Sequence, residues 1–140
     1  MAEKRTLEQR RAADALQKIE ELRRAGRGVY GNYKSYVSSL PAGILTTGLG
    51  QAAATLLASA KIGRDRRTVD NKAYEMLYEH LSGWLCGGDE ESPYPAGDLL
   101  ENITTHDQDS YLRAQAEALA HLVWLKKFAE AFLEDGKEES

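Results

Sequence analysis

The side chains in this sequence that could do chemistry are few and lie far apart. His80, His106 and His121 have no second metal-ligating side chain at the spacing that places two ligands on one helical face. His121 falls in an apolar segment, which is typical of a hydrogen-bonded packing histidine. His106 stands beside Asp107 and is typical of a helix cap or turn. The sequence therefore predicts no metal site.

Nucleophiles and paired acids also lack a catalytic context. Cys86 precedes two glycines with no evident base nearby, and residues 89–91 are acids in a loop, where water leaves carboxyl groups unperturbed. The glycine-rich segment 43–51 lacks the Gly-Lys-Ser/Thr ending of a P-loop. We expect no enzyme and no cofactor. A metal-dependent hydrolase, based on the loop acids, His106, Asp107 and Asp109, is the weakest of three functional hypotheses.

Clustered cations are the remaining chemical signal. Two groups have few acids close in sequence, and because cations bind phosphates without reading base sequence, they are candidate RNA backbone contacts. The first group is Arg23, Arg24, Arg27 and Lys34, and the second is Lys61, Arg64, Arg66 and Arg67. Part of the charge on the first helix is offset, because Asp14 precedes Lys18 by four residues and Glu20 precedes Arg24 by four.

Aromatic side chains near the first group could stack on bases. Tyr30 and Tyr33 fit an apolar stripe that predicts core positions, whereas Tyr36 faces elsewhere. Tyr36 is therefore the weak candidate for base stacking.

Helical periodicity predicts the elements that position these residues. The first helix begins after Thr6, where Gln9 completes a capping box, and ends near Ala25. A second covers about 30–40, with Pro41 at its end or in the first turn of the next, and a third covers about 44–60. A fourth spans about 74–85, a short helical stretch follows near 99–103, and the longest begins after Asp107. No segment alternates like a strand, which predicts an all-α bundle of five to six helices.

Length and charge limit the number of domains and the kinds of partner that the sequence allows. The 140 residues suffice for one domain, 1–140, in which 135–140 form a polar tail. The net charge is −4, but residues 1–72 hold 14 basic against 7 acidic side chains and residues 73–140 hold 4 against 15. Opposite charges on two parts of one chain favour contacts with phosphate or with complementary protein surfaces.

The chain has one cysteine, and its first residues are charged and helix-like, without the apolar stretch of a signal peptide. We therefore expect a cytoplasmic protein without a membrane partner.

Three stretches of the sequence resemble the small subunit of the type III-B CRISPR effector, the Cmr complex. They are residues 6–11 (TLEQRR), residues 40–51 with Leu40, Pro41, Ile44 and a GLGQ ending, and residues 117–129 with EAL and WLKKFA. The stretches occur in the family's order and bracket nearly the whole chain.

The resemblance implies a helical, non-catalytic subunit that stacks in several copies as a minor filament beside other Cmr subunits. That filament lines the channel holding guide RNA and target RNA, while cleavage belongs to other subunits. The family's basic pair corresponds to Lys126 and Lys127, which join the candidate RNA contacts. The alternative hypothesis is a helical adaptor that binds protein partners only.

Overall fold

A computed structural model describes residues 5–61 and 68–135, and every regular element in these ranges is an α-helix. The described residues form seven helices: α1 Leu7–Ala25, α2 Arg27–Tyr30, α3 Tyr33–Thr47, α4 Leu49–Ala60, α5 Val69–Leu85, α6 Leu99–Thr105 and α7 Gln108–Phe132. The all-α class is confirmed. The predicted count of five to six is too low, because the short α2 is a separate helix, and the junction predicted near Pro41 lies instead at Gly48.

Side-chain caps fix the starts of the long helices as the sequence predicts. The Thr6 hydroxyl accepts from the backbone N–H of Gln9 at 3.0 Å, and the Gln9 side chain accepts from the Thr6 N–H at 2.8 Å. The Asp107 carboxylate accepts from the N–H of Ser110 at 2.9 Å at the start of α7. Each cap satisfies backbone donors that no preceding turn can pair.

The junction between α3 and α4 differs from the prediction. Pro41 neither ends nor begins a helix, since α3 continues through it to Thr47. The chain turns at Gly48, whose φ of 93° favours glycine. A Cβ at this residue would also lie 3.0 Å from the Tyr111 hydroxyl oxygen. Glycine is thus required both by the backbone conformation and by the close approach of α7.

The first junction separates α1 from α3. Gly26 ends α1, and its N–H donates to the Leu22 carbonyl at 3.0 Å. The predicted single helix over 30–40 is instead the short α2 followed by α3, and Gly28 lies inside α2 and does not end α1.

Helix α7 packs against α1 on one side and α3 on the other, and it also contacts α5 and α4. Its buried positions combine alanines with larger side chains, and the alanines let neighbouring helices approach closely. They include Ala114, Ala118, Leu122, Leu125 and Ala129, all fully buried. This face of α7 is buried in the core, whereas Leu112 is 54% exposed and Val123 is 50% exposed on the other face.

Within the described parts of the chain, none of the helices has the length and apolar character needed to cross a lipid bilayer.

Candidate subunit and nucleic-acid interface

The first group of predicted cations meets at one end of the bundle. The guanidinium carbon of Arg23 lies 5.3 Å from the ring centroid of Phe132, near the end of α7. Arg27 pairs with Glu134 at 3.5 Å, and Lys34 pairs with Asp135 at 3.3 Å. The ends of α1 and α7 and the start of α3 therefore bring these side chains together.

Other predicted cations extend this end of the molecule. Arg24 is exposed and has no ion pair with any residue in the described ranges, although Glu20 was predicted to pair with it. A carboxylate oxygen of Glu20 instead lies 3.8 Å from Nε of Arg23, three residues later in the helix. The predicted Asp14–Lys18 pair on the same helix is present.

Lys61 is exposed and caps the C-terminal end of α4 in the left-handed conformation, with φ 55°. Asn71 at the start of α5 donates to the Ser59 carbonyl at 2.9 Å, and Asp70 accepts from the Asn32 N–H at 3.3 Å. These contacts bring the end of α4 and the start of α5 beside the start of α3. Arg64, Arg66 and Arg67 lie outside the described residues. We name the end formed by Arg23, Arg24, Arg27, Lys34 and Lys61 the basic pole.

The opposite end of the bundle carries acidic side chains. Arg10, near the start of α1, pairs with Asp89 at 3.0 Å and also with Glu91. Arg113 near the start of α7 donates to the Glu91 carbonyl at 3.1 Å. We name this end, which holds Asp89, Glu90, Glu91, Glu101, Asp107 and Asp109, the acidic pole.

The two halves of the sequence do not correspond simply to the two ends of the bundle. Arg10 belongs to the basic half but lies at the acidic pole, whereas Lys126 and Lys127 belong to the acidic half but precede the end of α7 by less than two turns. Lys127 is exposed, Lys126 is partly buried, and neither forms an ion pair within the described ranges. Both extend the cationic surface from the basic pole along α7.

Residues 7–132 match the sequence model of a family described as CRISPR-associated protein (Cas_Cmr5). The chain belongs to this family. The match covers all seven helices, from the start of α1 to the end of α7. The resemblance drawn from three short stretches is confirmed at this level: the chain is a CRISPR-associated Cmr subunit, whose partners are other subunits of the Cmr complex.

The Cmr5-family chain does not present Tyr36 as a free stacking platform. Tyr36 stacks on Tyr74 of α5, with ring centroids 3.9 Å apart and planes 9° apart, so one ring face is occupied within the protein. Burial, the largest contribution, raises the pKa of Tyr36 to about 12. Tyr30 and Tyr33 are buried in the core, as the apolar stripe predicted. Base stacking by Tyr36 would have to use its other ring face, and it stays a prediction.

A buried polar network joins α1, α5 and α7, and sequence reasoning missed most of it. Glu117 accepts from Arg11 Nε at 2.7 Å and Arg11 Nη2 at 2.8 Å, and also from Trp84 Nε1 at 2.8 Å. Trp84 stacks on His121, with ring centroids 4.9 Å apart. We name Arg11, Asp14, Trp84, Glu117 and His121 the polar seam. The signal in the sequence was Glu117 itself, an acid on an otherwise apolar helical stripe.

His121 is a packing histidine, as predicted. It is completely buried, and its Nε2 lies 2.7 Å from a carboxylate oxygen of Asp14, while its Nδ1 has no hydrogen-bond partner in the described structure. Because the ionised Asp14 carboxylate can only accept, Nε2 of His121 carries a proton. Burial lowers the pKa of His121, against the hydrogen bond to Asp14.

The acids of the polar seam stay ionised because their hydrogen-bond partners and neighbouring charges outweigh the effect of burial. Burial alone would raise the pKa of Glu117, but hydrogen bonds from Arg11 and Trp84 outweigh it and lower that pKa. For Asp14, contacts with His121 and Lys18 likewise outweigh burial, and its pKa is lowered. These side chains satisfy one another, so their geometry is that of a structural network.

The remaining histidines are also held within the fold. His80 Nδ1 lies 2.6 Å from the Tyr33 hydroxyl, and burial, followed by the charge of Lys18, lowers the pKa of His80 to about 3. His106 caps α6, and its Nδ1 lies 3.1 Å from the Asn102 carbonyl oxygen, in agreement with the predicted cap or turn. In residues 5–61 and 68–135, no group of three His, Cys, Asp or Glu side chains is placed to hold a metal ion.

Proposed function

We propose that this chain is a non-catalytic structural subunit of an RNA-guided Cmr effector complex in the cytoplasm, where it serves antiviral defence. In this proposal further copies stack as a minor filament, and the basic pole with Lys126 and Lys127 contacts the backbone of guide and target RNA. Beside the family match, the observation that best supports this proposal is that predicted cations from different helices meet at one end of the bundle.

The ion pairs at the basic pole are of a kind that phosphate can replace. The acids that pair with Arg27 and Lys34 have side chains 73% and 82% exposed, so water already screens both contacts. Exposed ion pairs contribute about 0 to 1 kcal/mol each. An RNA phosphate can therefore take the place of Glu134 or Asp135 at small cost.

The chemistry of the basic pole suits backbone contact better than base reading. Guanidinium and ammonium groups bind phosphate oxygens irrespective of sequence. The aromatic side chains closest to this end are engaged, since Arg23 covers Phe132 and Tyr36 stacks on Tyr74. The subunit would hold RNA in place for other subunits to cleave.

The test is assembly of the particle from the other Cmr subunits, guide RNA and either this chain or its variants. Arg24→Ala and Lys127→Ala remove exposed cations, and Arg113→Ala removes an exposed cation at the acidic pole as a matched control. Target-RNA affinity is measured over a series of salt concentrations. We expect each basic-pole variant to reduce the slope of log affinity against log salt by about 0.7, and the control to leave it unchanged.

Two results would contradict the proposal. Failure of the wild-type chain to co-migrate with the particle would exclude its role as a subunit. Equal salt slopes for Arg24→Ala, Lys127→Ala and Arg113→Ala would exclude the RNA contact and favour the adaptor hypothesis, in which the same helices bind protein partners only. Exposed apolar side chains on α7 are the observation that favours the adaptor.

A further inference from the structure

Beyond α7 the chain is extended and lies on the basic pole. Helix α7 ends at Phe132, and the next residue, Leu133, has φ −105° and ψ 152°. The Leu133 side chain is buried, and the N–H of Glu134 donates to the hydroxyl of Tyr30, the last residue of α2, at 3.0 Å. These two contacts hold the segment after α7 against α2.

Two acidic side chains of this extended segment pair with cations of the basic pole. Glu134 pairs with Arg27 at 3.5 Å, and Asp135 pairs with Lys34 at 3.3 Å. We name Glu134 and Asp135 the tail acids. Both lie outside residues 7–132, so membership of the family does not by itself account for them.

The tail acids differ from other acids near this end of the bundle. Glu20 belongs to α1 and lies 3.8 Å from Arg23, and Asp70 belongs to α5 and accepts from the Asn32 N–H at 3.3 Å. Neither can move far without disturbing a packed helix. The tail acids follow the end of α7, and their side chains are 73% and 82% exposed. They can therefore leave the cations while every helix stays in place.

A carboxylate and a phosphate compete for the same donors. Both are anionic and accept hydrogen bonds from guanidinium and ammonium groups. Because the tail acids belong to the same chain as Arg27 and Lys34, they face these cations at an effective concentration on the order of mM. Each exposed ion pair shifts an equilibrium by about fivefold at most. A polyanion that contacts several cations at once can therefore displace both acids, whereas a single phosphate gains little.

We infer that the tail acids are a built-in competitor at the basic pole, which pairs with Arg27 and Lys34 until the phosphates of a polyanion take their place. The competition weakens the binding of small anions and leaves the pole to long phosphate chains such as RNA. The inference rests on the proposed function, to which it adds regulation of the same site.

The experiment removes the charges of the tail acids and measures binding of inorganic polyphosphate to the full chain. The tail variant is Glu134→Gln with Asp135→Asn, which keeps the size of both side chains and the backbone N–H that binds Tyr30. The matched control is Glu90→Gln with Glu130→Gln, which removes two exposed carboxylates that form no ion pair within the described ranges. Calorimetric titration at several salt concentrations measures the dissociation constant, and circular dichroism checks the fold.

We expect the tail variant to bind polyphosphate about threefold to tenfold more tightly than wild type at low salt. The control should differ from wild type by less than about twofold, because its charges lie away from these cations. The gain should shrink as salt rises, since salt screens the ion pairs that are removed.

A double-mutant cycle tests whether the gain comes from the observed ion pair. Lys34→Ala removes the partner of Asp135. Asp135→Asn should therefore tighten polyphosphate binding in the wild-type background and leave it unchanged in the Lys34→Ala background.

Four outcomes would overturn the inference. They are equal affinity of the tail variant and wild type, equal gains in the tail variant and the control, a gain from Asp135→Asn that persists with Lys34→Ala, and no polyphosphate binding at the lowest salt. Target-RNA affinity of the assembled Cmr particle is measured separately with the same variants. A gain for polyphosphate without one for target RNA would uphold the competition and contradict the proposed RNA contact, so the two failures are distinguishable.

Discussion

The polar seam and the groove between α3 and α4 are two regions of the molecule with opposite chemistry. We call the second region the α3/α4 groove, and its lining includes Tyr36, Gly43, Thr47, Ala52, Thr55 and Ser59. In the seam, ionised side chains are buried and each charge meets a partner at hydrogen-bond distance, as Glu117 does with Arg11 and Trp84. In the groove, the described lining residues carry no charge, and hydroxyl donors bond within their own helices. Buried polar groups here orient α1 against α7, whereas the lining of the groove is neutral.

The comparison also explains why polar residues give a poor guide to this protein's function. Ionisable side chains that could take part in reactions, such as His121 and Glu117, are buried and engaged in contacts within the fold. Gly43, Ala52 and Thr55, which have no ionisable group, line the groove between α3 and α4. If this division is correct, substitutions in the two regions should differ in both size and kind of effect.

The largest expected effect is at Glu117. Glu117→Ala leaves the Arg11 guanidinium and the Trp84 N–H without their acceptor, so the free energy of unfolding should fall by about 3 kcal/mol. Urea denaturation followed by circular dichroism measures it. Glu130→Ala, an exposed acid on the same helix, is the control and should change stability by less than about 0.5 kcal/mol. Equal effects would remove the distinction between seam and surface.

Acid should next destabilise the fold, through His80 and through His121 of the polar seam. The pKa values of His80 and His121 are lowered in the folded state, that of His80 to about 3, so the unfolded chain takes up protons first as the pH falls below about 6.5. Stability is therefore full above pH 6.5 and lost progressively below it, by up to about 1.4 kcal/mol per pH unit for each histidine. Urea midpoints measured from pH 7.5 to 5.5 check this.

The control for acid is His80→Phe, which removes one of the two titrating groups. We expect the variant to lose roughly half of the wild-type pH dependence, irrespective of its stability at pH 7.5. An unchanged dependence would show that protonation of this ring does not limit stability.

Substitution of two glycines, one inside the last turns of α3 and one at its C-cap, should change the stability of the fold in opposite directions. Gly48→Ala forces a side chain into a left-handed conformation beside the Tyr111 hydroxyl and should destabilise by about 1 to 2 kcal/mol. Gly43→Ala adds a methyl group to open space within α3 and should stabilise by about 0.5 to 1 kcal/mol. Thermal denaturation distinguishes the two. Destabilisation by Gly43→Ala would contradict the open space around this residue.

The smallest effect on stability is expected at the basic pole. Arg24 and Lys127 are exposed without ion pairs to described residues, so Arg24→Ala and Lys127→Ala should each change the free energy of unfolding by less than about 0.5 kcal/mol. The same urea titration measures both. A larger loss would place these side chains with the seam and weaken their assignment to RNA.

The elements with local signals were predictable from sequence. Thr6 with Gln9 and Asp107 with its first turn marked helix starts, because a cap depends on residues within one turn. The i, i+3, i+4, i+7 stripes of α5 and α7 identified core residues such as Leu77 and Leu122. The division at Gly48 was not predictable, because it depends on Tyr111, which is 63 positions away in sequence.

The sequence by itself determined the helical class, the main caps, the buried faces and the family, since these follow from local spacing and from residues in a recognisable order. Only the tertiary structure decided which charges meet. It placed Arg10 against the acidic loop, Arg11 against Glu117, and Arg27 and Lys34 beside the end of α7. Long-range pairing depends on how helices pack in space, and the linear order of charges does not specify that.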